Sequence, residues 1–104
     1  MQIQVNSDKS VEVDVALSDS VKAQISDVLQ RFADRITRVE VHLSDVNGDR
    51  SGETDKRCLM EVRVASRDPV VVTNEGATPA IAASGAAQKM FRLLSSTFGR
   101  LSES

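Results

Sequence analysis

Two stretches of this chain alternate apolar and polar residues with a period of two, and they constrain the fold more than any other feature. Val39, Val41 and Leu43 interleave with Arg38, Glu40 and His42. Cys58, Met60, Val62 and Val64 interleave with Leu59, Glu61 and Arg63. Successive side chains of a strand point to opposite faces, so each stretch predicts a strand with one apolar face. Between them Asp45 to Arg57 reads DVNGDRSGETDKR, whose glycines and many charges predict a long, solvated connection. A sheet of this kind has one apolar face that something must cover.

The rest of the chain supplies more strand and the cover. Met1, Ile3 and Val5 alternate with Gln2, Gln4 and Asn6, predicting a first strand. Val11, Val13 and Val15 alternate again, as a second short strand or as the extended lead-in to a helix. Ser18 is a suitable N-cap, with Asp19 in the first turn where it favours the helix dipole. Val21, Ile25, Val28, Leu29, Phe32 and Ile36 then recur at helical spacing, predicting a helix from about Asp19 to Arg35. Its outward face carries Asp19, Ser26, Asp27, Gln30 and Asp34, so that face is acidic to neutral. After a turn at Ser66–Asp68, Pro69 opens an edge strand that continues through Val70 to Thr73. Thr78 followed by Pro79 is a cap and first-turn signal for a last helix, from about Thr78 to about Leu101.

The order is β-α-β-β-β-α. The last three strands suit an antiparallel meander, because hairpin connections join them. The expected architecture is α+β: a four-stranded sheet with two helices packed on one face. With 104 residues, a single domain spanning 1–104 is expected.

The last helix has two characters. At ~100° per residue, Lys89, Arg92, Ser96 and Arg100 fall on one side, while Ala87, Met90, Leu94, Phe98 and Leu101 fall opposite. Leu93 sits near the basic edge. The first half is built from small residues, Ala82, Ala83, Gly85, Ala86 and Ala87, which let it approach the sheet closely. The net charge of the whole chain is -2. Any attraction to a phosphate backbone must therefore come from a segregated basic patch and not from a global field. With three Phe, no Trp and no Tyr, there is little from which to build a stacking platform for single-stranded bases.

Enzyme signatures are missing. Gly48 and Gly52 sit in a charged hairpin and not between a strand and a helix, so there is no phosphate-cradling loop. His42, the one histidine, lies on the polar side of a strand. Cys58 reads as a small buried strand residue, and neither residue has the partners of a nucleophile or a zinc site. Asp45, Asn47 and Asp49 occupy alternate positions, but the remaining offsets of a calcium loop are not met. No cofactor and no metal are expected. The first six residues lack a basic and an apolar region of the kind a signal peptide carries. No apolar run approaches the ~20 residues that span a bilayer. With a lone cysteine these features fit a reducing, cytoplasmic setting.

Several segments, in order, resemble the ribosome hibernation-promoting factor and RaiA family, the ribosome-associated inhibitors or sigma-54 modulation proteins. Val11-Glu12-Val13 with Ala16-Leu17 is similar to the family's approach to its first helix. Phe32, Asp34, Arg35 and Ile36, followed by Val39 and Val41, are similar to its passage into the second strand. Lys89-Met90-Phe91-Arg92-Leu93-Leu94 is similar to its Lys-x-x-Arg segment. The resemblance covers nearly the whole chain and is to a short form. It implies a fold like that of double-stranded-RNA-binding domains. It also implies a non-enzymatic protein that sits in the small ribosomal subunit, across the mRNA and tRNA channel, and holds ribosomes inactive under stress. It gives Lys89 and Arg92 contacts with ribosomal RNA, with Arg100, Lys22 and Arg31 as secondary candidates by position. A second reading keeps the scaffold without the RNA: the acidic face of the first helix and the 45–57 loop would meet a basic protein partner.

Overall fold

The computed structural model describes residues 1–9, 11–46 and 56–103, the side chains of 100–103 excepted. Four strands, β1 (Gln2–Ser7), β2 (Ile36–Asp45), β3 (Lys56–Val64) and β4 (Val70–Gly76), form one sheet in the order β1-β2-β3-β4. Helix α1 (Val15–Leu29) follows β1, and helix α2 (Pro79–Glu103) follows β4. β2, β3 and β4 are the expected antiparallel meander, while β1 runs parallel to β2. A parallel pair needs a crossover, and α1 supplies it.

The register puts the alternating apolar residues of all four strands on one face. Val39 stands opposite Val62, Val41 opposite Met60 and Leu43 opposite Cys58, and all six are buried. Val21, Ile25 and Leu29 of α1 meet them, as do Ala82, Ala83, Ala86, Ala87, Met90, Leu94 and Phe98 of α2, all buried. Full burial of a side chain such as Leu or Val stabilises by about 1.5–3 kcal/mol each, so this layer contact holds the fold together.

The small-residue half of α2 meets β4 closely. Asn74 Nδ2 donates to the Ala82 carbonyl at 3.1 Å. A β-carbon on Gly85 would collide with that same amide, and one on Gly76 would lie 2.8 Å from the Ala82 nitrogen. Thr78 opens α2 as expected, its hydroxyl accepting from the Ile81 N–H at 3.1 Å.

The first helix departs from its expected bounds. It begins at Val15, capped by Asp14, whose Oδ1 accepts from the Leu17 N–H at 2.8 Å; Ser18 lies inside the helix. Val11 and Val13 form an extended lead-in and not a strand. At the other end the helix stops at Leu29 and tightens into a 3-10 turn, Gln30–Phe32. The Ala33 N–H then donates to the Gln30 carbonyl at 3.1 Å, and the Arg35 N–H to that of Phe32 at 2.9 Å. These shortened bonds turn the chain early, and Ile36 becomes the first residue of β2. All three phenylalanines close the seam between this turn and α2. The Phe32 ring centre is 5.6 Å from that of Phe91 and 5.4 Å from that of Phe98.

Candidate nucleic-acid interface

The two faces of the molecule treat their charges differently. The uncovered face of the sheet carries the polar partners of the alternation, and the register sets like charges abreast: Arg38 opposite Arg63 and Glu40 opposite Glu61. Each arginine turns to the glutamate on its own strand, Arg38 Nε to Glu40 at 2.9 Å and Arg63 Nε to Glu61 at 3.2 Å. Arg38 also donates to the side-chain carbonyl of Gln4, and His42 Nε2 lies 3.9 Å from Glu40. Arg57 pairs across strands with Glu75 at 3.1 Å, and Lys56 with Asp45 at 3.1 Å. Solvent-exposed pairs of this type contribute about 0–1 kcal/mol each. Their larger effect is that, among the described residues, this face offers no unopposed lysine or arginine to an anion.

The helical layer differs. Lys89 and Arg92 are exposed on α2, and neither has a carboxylate partner among the described residues. The Lys89 ammonium instead donates to the Thr73 carbonyl of β4 at 2.8 Å. Two of its features bear on function: it is accessible, and a neutral acceptor holds it over the sheet edge. Arg31 is exposed at the 3-10 turn after α1, its guanidinium carbon 5.9 Å from the Phe32 ring centre. Lys22 is half-buried in α1 and lines a recess with Asp14, Asp19 and Ser18, without an ion pair to either acid. The side chain of Arg100 lies outside the described residues. The expected set therefore separates: Lys89, Arg92 and Arg31 stand unneutralised on the helical layer, and Lys22 stands apart among acids.

Two further arginines share the first group's condition. Arg35 is exposed, with its guanidinium carbon 4.6 Å from the Phe98 ring centre. Arg67 is exposed in the β3–β4 turn beside Phe98 and Leu94. Neither has a carboxylate partner among the described residues. No linear pattern marks them, because the pairing of the Ala65 N–H with the Arg35 carbonyl, 3.0 Å, brings the two segments together.

Chemistry finds little to work with. Burial pushes the Cys58 thiol up to about 12, which removes thiolate, the reactive form, at neutral pH. Among the described residues no three His, Cys, Asp or Glu side chains gather to hold a metal ion. The notional calcium ligands Asn47 and Asp49 lie outside the described residues. No helix is long and apolar enough to cross a membrane among the residues described. The three phenylalanines pack against one another in the helix seam.

The class these features define is a two-layer α+β protein, with helices on one face of a mixed four-stranded sheet and unopposed cations on the helical side. Residues 3–102 match the family described as Sigma 54 modulation protein / S30EA ribosomal protein, and the chain belongs to that family. Two solved structures share the fold. The N-terminal domain of Protein Y from Thermus thermophilus is 22% identical, with a TM-score of 0.70 over 89% of this chain and 94% of that one. A ribosomal subunit interface protein from Coxiella burnetii is 16% identical, with a TM-score of 0.78 over 95% of this chain and 99% of that one. A comparison with curated proteins gave no match. The family and fold expected from the order of segments are those found.

Proposed function

We propose that this protein is a non-enzymatic, ribosome-associated factor that docks on small-subunit ribosomal RNA and silences translation by filling the mRNA and tRNA channel. The sorting of charge carries this reading. Described arginines of the open sheet face are matched to glutamates, and those of the helical layer face solvent without one. Family membership supports it. Lys89 and Arg92 are the principal RNA contacts, Arg31 contributes, and Lys22 contributes least because Asp14 and Asp19 flank it. Arg100 belongs to the proposed set by its place in the sequence. No bond is made or broken; occupancy is the activity.

The test is sedimentation through sucrose gradients of extracts from stationary-phase cells, at low and high salt. The wild-type chain is expected with small subunits or whole ribosomes at low salt, and free at high salt, since phosphate contacts release counterions. Lys89→Glu with Arg92→Glu is expected at the top of the gradient at both. A reversed-charge variant that still travels with ribosomes would reject the assignment.

The exposed acids of α1, Asp19 and Asp27, favour a second reading, a module for a basic protein partner. A pull-down unaffected by RNase and dominated by one basic, non-ribosomal protein would select it.

A further inference from the structure

We infer that Arg31, Arg35 and Arg67 form a phosphate grip for the RNA backbone at the end of the molecule where α1 and α2 both finish. This rests on the ribosomal-RNA reading and extends its contact set beyond Arg31 to Arg35 and Arg67. Phe98 is the hub. One recess beside it is lined by Arg31, Phe32, Arg35 and Ser95. A second groove that Phe98 also lines includes Arg67, Asp68, Leu94 and Thr97. Arg31 and Arg35 thus line one recess and Arg67 lines another, and the buried Phe98 belongs to both.

Their geometry suits anions. A guanidinium over an aromatic face is oriented by that face, and its edge N–H groups remain available for a bidentate contact. Arg35 is held this way by Phe98, and the bond from Ala65 to its carbonyl fixes its backbone. Arg67 is placed by its own N–H, which donates to the Val64 carbonyl at 3.1 Å, and by Ser66 at φ 65°. Forked donors of this kind recognise phosphate better than point charges do. The Ser95 hydroxyl, in the recess under Arg31 and Arg35, is buried without a hydrogen-bond partner, so the wall there carries further unspent polarity.

Two features oppose the grip. Asp34 and Asp68 lie at the same end, both exposed, and neither pairs with these arginines. The carbonyl ends of two helices also point there. That dipole favours cations and supplies a purely structural reading, in which the arginines cap helices and bind nothing. Among the described side chains three unpaired guanidiniums exceed these two acids, and a nearby phosphate would find forks rather than a neutral surface.

The experiment separates these readings. Equilibrium binding of the full chain to purified small ribosomal subunits is measured across a potassium chloride series, with a thermal melt for each variant. Arg31→Gln with Arg67→Gln is expected to melt like the wild type. It should bind at least tenfold more weakly near 0.1 M salt, with a log–log salt slope reduced by about two, since each lost phosphate contact removes about one. Arg35→Lys keeps the charge and loses the fork; it is expected to weaken binding several-fold with the slope unchanged. Wild-type binding with an unaltered affinity and slope in the double variant overturns the grip and leaves the ribosomal reading standing. Chemical shifts at Arg35 and Arg67 that saturate with inorganic phosphate, with RNA affinity unmoved by the variants, would assign a small-anion site and overturn the RNA grip. A wild-type chain that does not bind small subunits overturns both.

Discussion

Asn74 and Gly85 interlock: the Asn74 amide donates to the Ala82 carbonyl and occupies the place that a β-carbon on residue 85 would take. This contact sets how closely α2 lies on the edge strand, and so where Lys89 meets Thr73. Alanine is preferred over glycine inside a helix by about 1 kcal/mol, yet here Gly85→Ala is expected to destabilise by about 1–3 kcal/mol through overpacking. Adding Asn74→Ala is expected to recover much of that loss. Urea unfolding of the two single variants and the double would read the coupling. Additive effects would contradict the interlock.

The cap of α1 separates Asp14 from Ser18. Asp14→Ala is expected to cost about 1 kcal/mol, because Leu17 loses its acceptor. Ser18→Ala is expected to change stability by less than about 0.5 kcal/mol, as surface changes away from such features do. Thermal melts of both variants check the assignment.

Cys58 makes stability fall at high pH. Its folded thiol titrates near 12 and the ordinary value is 9.0. Between those two values the unfolded chain has lost this proton and the folded chain has kept it. Stability then declines as pH rises, by at most about 1.4 kcal/mol per pH unit, and below pH 9 the group has no effect. Cys58→Val is expected to remove that part of the slope between pH 9 and 10.5. In the native protein the thiol is expected to resist alkylation at pH 8 and to react on unfolding.

The open sheet face serves as the control for RNA binding. Arg38→Gln with Arg63→Gln removes two cations that Glu40 and Glu61 already neutralise. Affinity for small subunits is expected to stay within about twofold. A loss like that of the α2 variants would mean that net charge, and not its location, governs binding.

The strands and the face of each were legible because a period of two leaves no other register. The close approach of α2 was legible in its run of small residues. The limits of α1 were not: Asp14 and Ser18 are both cap-forming residues ahead of the helical repeat, and periodicity does not say which one accepts the N–H. Ile36 fits the helical period and the strand alternation equally; the 3-10 turn that decides between them leaves no trace in composition. Among the proposed contacts, Lys89 and Arg92 were visible on one helix. Arg35 and Arg67 were not, since strand pairing joins them across a long separation.

The most direct measurement is the affinity of the wild-type chain and of Lys89→Glu with Arg92→Glu for purified small ribosomal subunits as salt is varied. The wild-type log affinity is expected to fall linearly with log salt, and the variant to bind at least a hundredfold more weakly at low salt with a shallower slope. Equal affinity in the two proteins, or wild-type binding indifferent to salt, would contradict the account.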